Sequence, residues 1–185
     1  RYSRIVLELD ATAKMSDLTR READIAIRTR RPTSGTLVSK KVYTGPLWPL
    51  GSFAYVRELG ALSDVGDARW IGPEESADDP LRRGLGLPPP VLRAQSLVVQ
   101  MRAAAEGLGL VWAARHFGIT YGLAPLRVAP RLKKRLAALP PVELWLVAHD
   151  SYRTVPRLAA VWSFVEDEFV TIVERAAQRD RDERA

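Results

Sequence analysis

Hydroxyl and guanidinium groups stand where two predicted strands end, within residues 10–30. Residues 5–9 alternate as a strand that is covered on both faces, and Thr12 follows in the loop where an amphipathic helix opens. A hydroxyl beside the free N–H groups of a helix start can hold a carboxylate, although a threonine there is also an ordinary helix cap. Arg28 ends the next predicted strand, 24–27, where its guanidinium can pair with an acid through two hydrogen bonds. This strand–helix–strand crossover predicts a ligand crevice at the carboxyl ends of its strands.

A second strand–helix–strand pattern lies further along the chain. Residues 91–93 and 108–112 are predicted strands, and Ser96 caps the helix between them. Gln95 and Ser96 therefore occupy the place that the threonine has in the first pattern. Ser52 stands near a predicted crossing between two halves of the molecule, where either a hinge or a ligand contact is expected.

The sequence contains no set of residues that predicts catalysis. His116 and His149 are the only histidines, neither has a second histidine at metal-binding spacing, and the chain has no cysteine. Asp150 and Ser151 follow His149 directly, but sequence neighbours rarely converge into a triad, and no nucleophile elbow is present. We therefore expect no catalytic residue, no metal and no cofactor.

Composition is typical of a globular domain that can bury a sizeable core. The chain has 185 residues, of which 46% are hydrophobic and 27% charged, with a net charge of +6. Of the 28 basic residues, 23 are arginine, a bias typical of a GC-rich genome as well as of a nucleic-acid surface. No apolar run approaches the length of a membrane span, so a cytoplasmic location without a membrane partner is expected.

The last third of the sequence predicts a strand followed by a long amphipathic helix. Residues 143–148 alternate as a strand, and Pro156 lies in the first turn of the helix, whose apolar positions recur every three to four residues as far as Ile172. Residues 174–185 are nearly all charged or alanine, which predicts a solvated helix extension or a frayed tail. Further short elements are expected at 36–42, 46–50, 55–59, 69–71 and 125–128.

Several segments in the right order resemble the effector-binding (substrate-binding) domain of LysR-type transcriptional regulators. The likeness covers nearly the whole chain, and it depends on the ordered set, because no single motif is specific. The segments are Leu-Glu-Leu at 7–9, Arg-Glu-Ala-Asp-Ile-Ala-Ile-Arg at 21–28, Leu-Val-Ser-Lys-Lys-Val at 37–42, Gly-Ser-Phe-Ala-Tyr-Val at 51–56, Val-Leu-Arg-Ala-Gln-Ser at 91–96, Ala-Ala-Ala-Glu-Gly-Leu-Gly-Leu at 103–110 and Glu-Leu-Trp-Leu-Val at 143–147.

The resemblance implies an α/β, type II periplasmic-binding-protein-like fold, in which two α/β lobes enclose a cleft. A single effector-binding domain would span 1–185, with lobe I at 1–53 plus 147–173, lobe II at 54–146 and a charged tail at 174–185. The ligand would lie in the interlobe cleft. The implied ligand-binding residues are Thr12, Arg28, Ser52, Gln95 and Ser96.

The implied function is effector sensing, not catalysis. A small metabolite, expected to be an organic or aromatic acid, would bias lobe closure in a homodimer or tetramer and so change DNA binding through a helix-turn-helix that the family carries upstream. The sequence begins after that element and after the family's first strand and helix, so it is either a fragment or a truncated regulator paralogue that acts by association. A transporter's solute-binding protein shares the fold and stays open as an alternative.

Overall fold

The computed structural model describes residues 5–11, 18, 22–33, 35–73 and 84–182. The chain divides into two compact units: unit 1 comprises Arg1–Gly45 and Val142–Ala185, and unit 2 comprises Pro46–Pro141. The chain therefore passes between the units at residues 45–46 and 141–142, compared with the 53–54 and 146–147 expected for the lobes.

The described chain contains both strands and helices throughout its length, which confirms the mixed α/β class. The strands are β1 (Ile25–Arg28), β2 (Leu37–Gly45), β3 (Leu47–Ser52), β4 (Ala61–Leu62), β5 (Ile71–Gly72), β6 (Leu92–Arg93), β7 (Val111–Ala114), β8 (Leu123–Pro125), β9 (Arg127–Val128) and β10 (Val142–His149). The α-helices are α1 (Phe53–Leu59), α2 (Leu97–Ala105), α3 (Arg115–Thr120), α4 (Pro130–Ala137) and α5 (Pro156–Asp182).

Unit 1 is built on an antiparallel sheet with β10 between β1 and β2. Leu146 and Ala148 of β10 are fully buried, and Trp162 of α5 packs on the same cluster with Tyr152, their rings 4.5 Å apart. The predicted apolar stripe of the last helix is confirmed, and the helix continues to Asp182 through the charged segment.

The predicted strand at residues 5–9 is wrong. Residues 5–11 have no regular structure, and the side chains of Val6 and Leu9 are 95% and 88% exposed. Alternating apolar residues form a strand only where a neighbouring strand takes their backbone hydrogen bonds, and β1 and β2 pair with β10 alone among the described strands. Most of the helix predicted to start at Thr12 lies outside the described residues.

Unit 2 combines an antiparallel sheet with two small parallel pairs of strands, β4 with β9 and β5 with β6. In the antiparallel sheet β3 lies between β7 and β8. β5 pairs with β6 on one side, and Trp70, just before β5, pairs with Leu110 on the other. Because α2 connects β6 to Leu110, the second strand–helix–strand crossover is confirmed.

Tryptophans fill the core of unit 2. Trp70 and Trp112 stack with ring centroids 4.9 Å apart, and the indole of Trp48 donates to the carbonyl of Leu126 at 2.9 Å. Trp48 and Trp112 are partly buried and pack against the buried cluster, so both belong to the core of unit 2.

Candidate functional site

The carboxyl edge of the parallel strands in unit 2 gathers the polar residues that follow β6 and β7. The registers pair Gly72 with Arg93 and Trp70 with Leu110 in parallel. Ser96, three residues past Arg93, and Arg115, directly after β7, therefore both follow the carboxyl ends of these segments. β6 and the segment at Leu110 flank β5, so they lie two strand spacings apart, about 10 Å. An edge of this kind is where open α/β sheets bind their ligands.

Ser96 lies at the N-cap position of α2, but its side chain does not cap the helix. Its backbone is extended, with ψ 120°, and its hydroxyl makes no capping hydrogen bond to the first turn. Ser96 is half-buried, and the neighbouring Gln95 is exposed. The first amide groups of the helix therefore lack a side-chain acceptor, and together with the helix dipole they favour an anion at this position.

A buried glutamine fixes the loop in front of this helix. Gln100 is 6% exposed, and its side-chain amide donates to the carbonyl of Ala94 at 2.6 Å. The hydrogen bond connects the first turns of α2 to the segment that carries Gln95 and Ser96. Gln100 was not predicted from the sequence, although a lone amide on the side of the helix that buries Met101 and Ala104 could have indicated it.

Two arginines bring positive charge to the same edge. Arg93 is the last residue of β6 and is exposed, and Arg115 is the first residue of α3 and is half-buried. Both side chains contact other residues of the chain. Their role was not predicted, because only the sheet registers show that residues 93 and 115 end at one edge.

Ser52 lies at the other end of α2 from Ser96. Its hydroxyl accepts the N–H of Tyr55 at 3.2 Å and so caps α1. Gly107, just past the end of α2, lies beside it, since a Cβ there would stand 3.4 Å from the Ser52 hydroxyl. The nine residues of α2 span about 14 Å. The structure therefore does not bring Ser52 together with Gln95 and Ser96.

In unit 1, Arg28 ends β1 directly opposite Trp145, which stands opposite Lys41 on β2. Arg31 and Lys41 lie over the Trp145 ring, 5.5 and 5.6 Å from its centroid. The Lys41 ammonium donates to Glu143 at 2.9 Å. That hydrogen bond, ahead of the one from Trp145, lowers the pKa of the Glu143 carboxyl below its ordinary value. Thr12 lies outside the described residues.

His149, Asp150 and Ser151 meet in space, contrary to the expectation from sequence. Both the Ser151 hydroxyl and an Asp150 carboxylate oxygen lie 2.9 Å from the same ring nitrogen, Nδ1 of His149. A proton relay needs the serine and the acid on opposite ring nitrogens. The backbone N–H of Ser151 also approaches Nδ1, at 3.3 Å, so the trio is a local cap for the 3₁₀ turn Asp150–Thr154.

Over the described ranges, no group of three or more histidine, aspartate or glutamate side chains is placed to hold a metal ion. Within those same residues, no helix has both the length and the apolar character needed to cross a membrane.

Comparisons with known proteins point to one family. The family model for the LysR substrate binding domain matches residues 1–170. No curated protein matches the chain. Among solved structures, the chain is similar to the regulatory domain of CrgA, a LysR-type transcriptional regulator from Neisseria meningitidis, with a TM-score of 0.65 at 17% identity over 82% of this chain and 78% of that one.

The effector domain of the transcriptional regulator AmpR from Pseudomonas aeruginosa is similar with a TM-score of 0.58 at 16% identity, over 87% of this chain and 80% of that one. The chain spans 54% of the longer CrgA structure, at 18% identity and a TM-score of 0.65. Similarity at these identities establishes the fold.

Proposed function

Because the chain belongs to the LysR substrate-binding domain family, we propose that it senses a small organic or aromatic acid for a LysR-type transcriptional regulator. Its fold is type II periplasmic-binding-protein-like, and its solved neighbours are regulatory and effector domains. The family is regulatory, not enzymatic. The arrangement of His149, Asp150 and Ser151 on one ring nitrogen supports the proposal that this chain is not an enzyme.

One observation supports the proposal that the effector is an acid. The start of α2 is uncapped by any side chain at an edge that also holds Arg93 and Arg115. A carboxylate there would accept the free amide hydrogens and the Ser96 hydroxyl while its charge is balanced by guanidinium groups. A neutral ligand would leave those donors without an ionised acceptor.

The proposed ligand-binding residues are those that the family resemblance implies: Gln95 and Ser96 at the start of α2, together with Thr12 and Arg28. Ser52 is the fifth candidate, and its hydrogen bond to Tyr55 favours a role in positioning α1.

Effector binding is proposed to act on transcription through the assembly of the regulator. A ligand shifts a conformational equilibrium only as far as its affinities for the two states differ. Closure of the lobes on the acid would change the geometry of a homodimer or tetramer, and the helix-turn-helix of the whole regulator would carry that change to DNA. This role places the protein in the cytoplasm.

The proposal is tested by a thermal-shift screen of the 185-residue chain against organic acids, aromatic acids and amino acids. A ligand at 100 times its dissociation constant adds about 2.7 kcal/mol to the free energy of unfolding. For a chain of this size, that raises Tm by roughly 5 to 11 °C. Ser96→Ala should abolish the shift and Arg28→Gln should reduce it, whereas Arg131→Gln on the exposed face of α4 is the matched control.

Each alternative has its own outcome in this screen. A cooperative transition that no acid moves would contradict acid sensing and favour a paralogue that acts by association. A shift that survives both Ser96→Ala and Arg28→Gln would leave the family assignment intact but overturn the site. Tight binding of a transported solute with no change in the oligomeric state would favour a transporter's solute-binding protein.

A further inference from the structure

An open groove of about 640 Å³ lies in unit 2 between α1 and the β8–β9 segment. Its volume falls in the range of small-molecule pockets. Phe53, Val56, Ala124 and Pro125 form its apolar wall. The groove belongs to the end of α2 where Ser52 lies, so it is separate from the Ser96 edge assigned to the effector.

Two arginines make this apolar groove selective for charge. Arg57 near the end of α1 and Arg127 at the start of β9 both line it, and none of its described lining residues is acidic. Among the described residues, neither guanidinium takes part in an ion pair. Within the part of the chain that the structure describes, the groove therefore presents two cations without an acidic partner beside an apolar wall, which complements an anion with an apolar body.

Phe53 favours an aromatic body over an aliphatic one. Its side chain is 70% exposed, which is a large exposed apolar area for a phenylalanine at the rim of a cavity. An aromatic ligand ring can stack on Phe53 and also lie against a guanidinium plane.

The strand beside the groove argues against an extended peptide as the occupant. Among the described strands, β8 pairs with β3 alone and is therefore an edge strand, and it ends at Pro125. Proline has no N–H to offer to an added strand, and proline on an edge is a common protection against such pairing.

We propose that this groove is a second small-molecule site, which binds an aromatic carboxylate through Arg57, Arg127 and Phe53. The proposal goes beyond effector sensing at Ser96 and does not depend on it. A regulator with two such sites could respond to two acids, or to one acid at two concentrations.

The test is isothermal titration calorimetry of the 185-residue chain with 2-naphthoate, and with uncharged 2-naphthamide as the matched probe. Naphthoate should bind saturably and at least about tenfold more tightly than the amide, since only the acid pairs with the arginines. The double variant Arg57→Gln/Arg127→Gln should weaken naphthoate about tenfold or more without altering amide binding. Phe53→Ala should weaken both probes.

A control variant separates this site from non-specific binding. Arg131→Gln, an exposed cation on α4 outside the groove, should leave naphthoate affinity unchanged, and circular dichroism melts should show every variant folded. The proposal is overturned if naphthoate does not bind, if it binds no more tightly than the amide, or if the Arg57→Gln/Arg127→Gln double variant leaves its affinity unchanged. Dimerisation in sedimentation runs that Arg57→Glu abolishes would assign the groove to a second copy of the chain instead.

Discussion

Ser52 and Ser96 both begin helices, yet the structure predicts opposite consequences for their loss. The Ser52 hydroxyl accepts the N–H of Tyr55, so Ser52→Ala removes a formed cap and should lower the free energy of unfolding by about 1 kcal/mol. That corresponds to a fall in Tm of roughly 2 to 4 °C. The Ser96 hydroxyl forms no cap, so Ser96→Ala should change stability by no more than about 0.5 kcal/mol, the usual effect of a surface substitution away from a structural feature.

The two variants should also differ in ligand response. Urea unfolding followed by tryptophan fluorescence gives the stability of each variant, and thermal melts with and without an acid found in the screen give its ligand-induced shift. Ser52→Ala should keep the full shift, Ser96→Ala should lose it, and Ser52→Asp should restore stability because aspartate is an equally good cap. If Ser96→Ala costs as much stability as Ser52→Ala, the Ser96 hydroxyl caps its helix in solution and the reasoning for an open anion position fails.

Three further perturbations test the framework around the site. Gly109→Ala should lower the free energy of unfolding in urea by about 1 to 3 kcal/mol, because the added Cβ would stand 2.7 Å from a backbone oxygen of the neighbouring strand. Gly72→Ala is the control: a Cβ there would meet nothing within 4 Å, so this variant should be as stable as wild type or slightly more stable. Gln100→Leu leaves the carbonyl of Ala94 without its donor, so it should lower the free energy of unfolding by about 1 to 3 kcal/mol and weaken ligand binding. Unchanged ligand affinity in calorimetry would contradict the positioning role of Gln100. The lowered pKa of Glu143 means that its ionised form stabilises the fold. The stability advantage of wild type over Glu143→Gln should therefore be complete above about pH 4.5 and be lost as the pH falls through the folded-state pKa. A difference in urea midpoint that is independent of pH would refute this.

Local residue types made α1 and α2 predictable from the sequence, whereas α3, α4 and the pairing partners of the strands were not predicted. The end of α1 at Gly60, where φ is 64°, follows from one residue type at one position. Residues 5–9 show the reverse: their alternation is that of a strand, but no described strand takes their hydrogen bonds. The periodicity of apolar residues indicates which face a segment would bury, but it does not indicate which other segment would cover that face.

The candidate site divides along the same line. Gln95 and Ser96 could be found from sequence, because a polar pair between a strand and a helix is a local pattern. The positions of Arg93 and Arg115 at the same edge depend on the registers of β6 and of Leu110 against the β5 segment. The distance of Ser52 from that edge depends on α2 lying lengthwise between them. These positions follow only from the assembled structure and could not be predicted from the sequence.

The uncapped start of α2 is itself an argument for function. Ser52 and Asp64 show that serine and aspartate at helix starts in this unit do accept backbone N–H groups, at 3.2 and 2.8 Å. Ser96 is a residue of the capping type at the equivalent position and makes no such bond. A formed cap is worth about 1 kcal/mol, so an unused one is a local departure from the stable arrangement. Departures of this kind concentrate where a ligand completes the structure, and a carboxylate at this edge would supply the acceptor that α2 lacks.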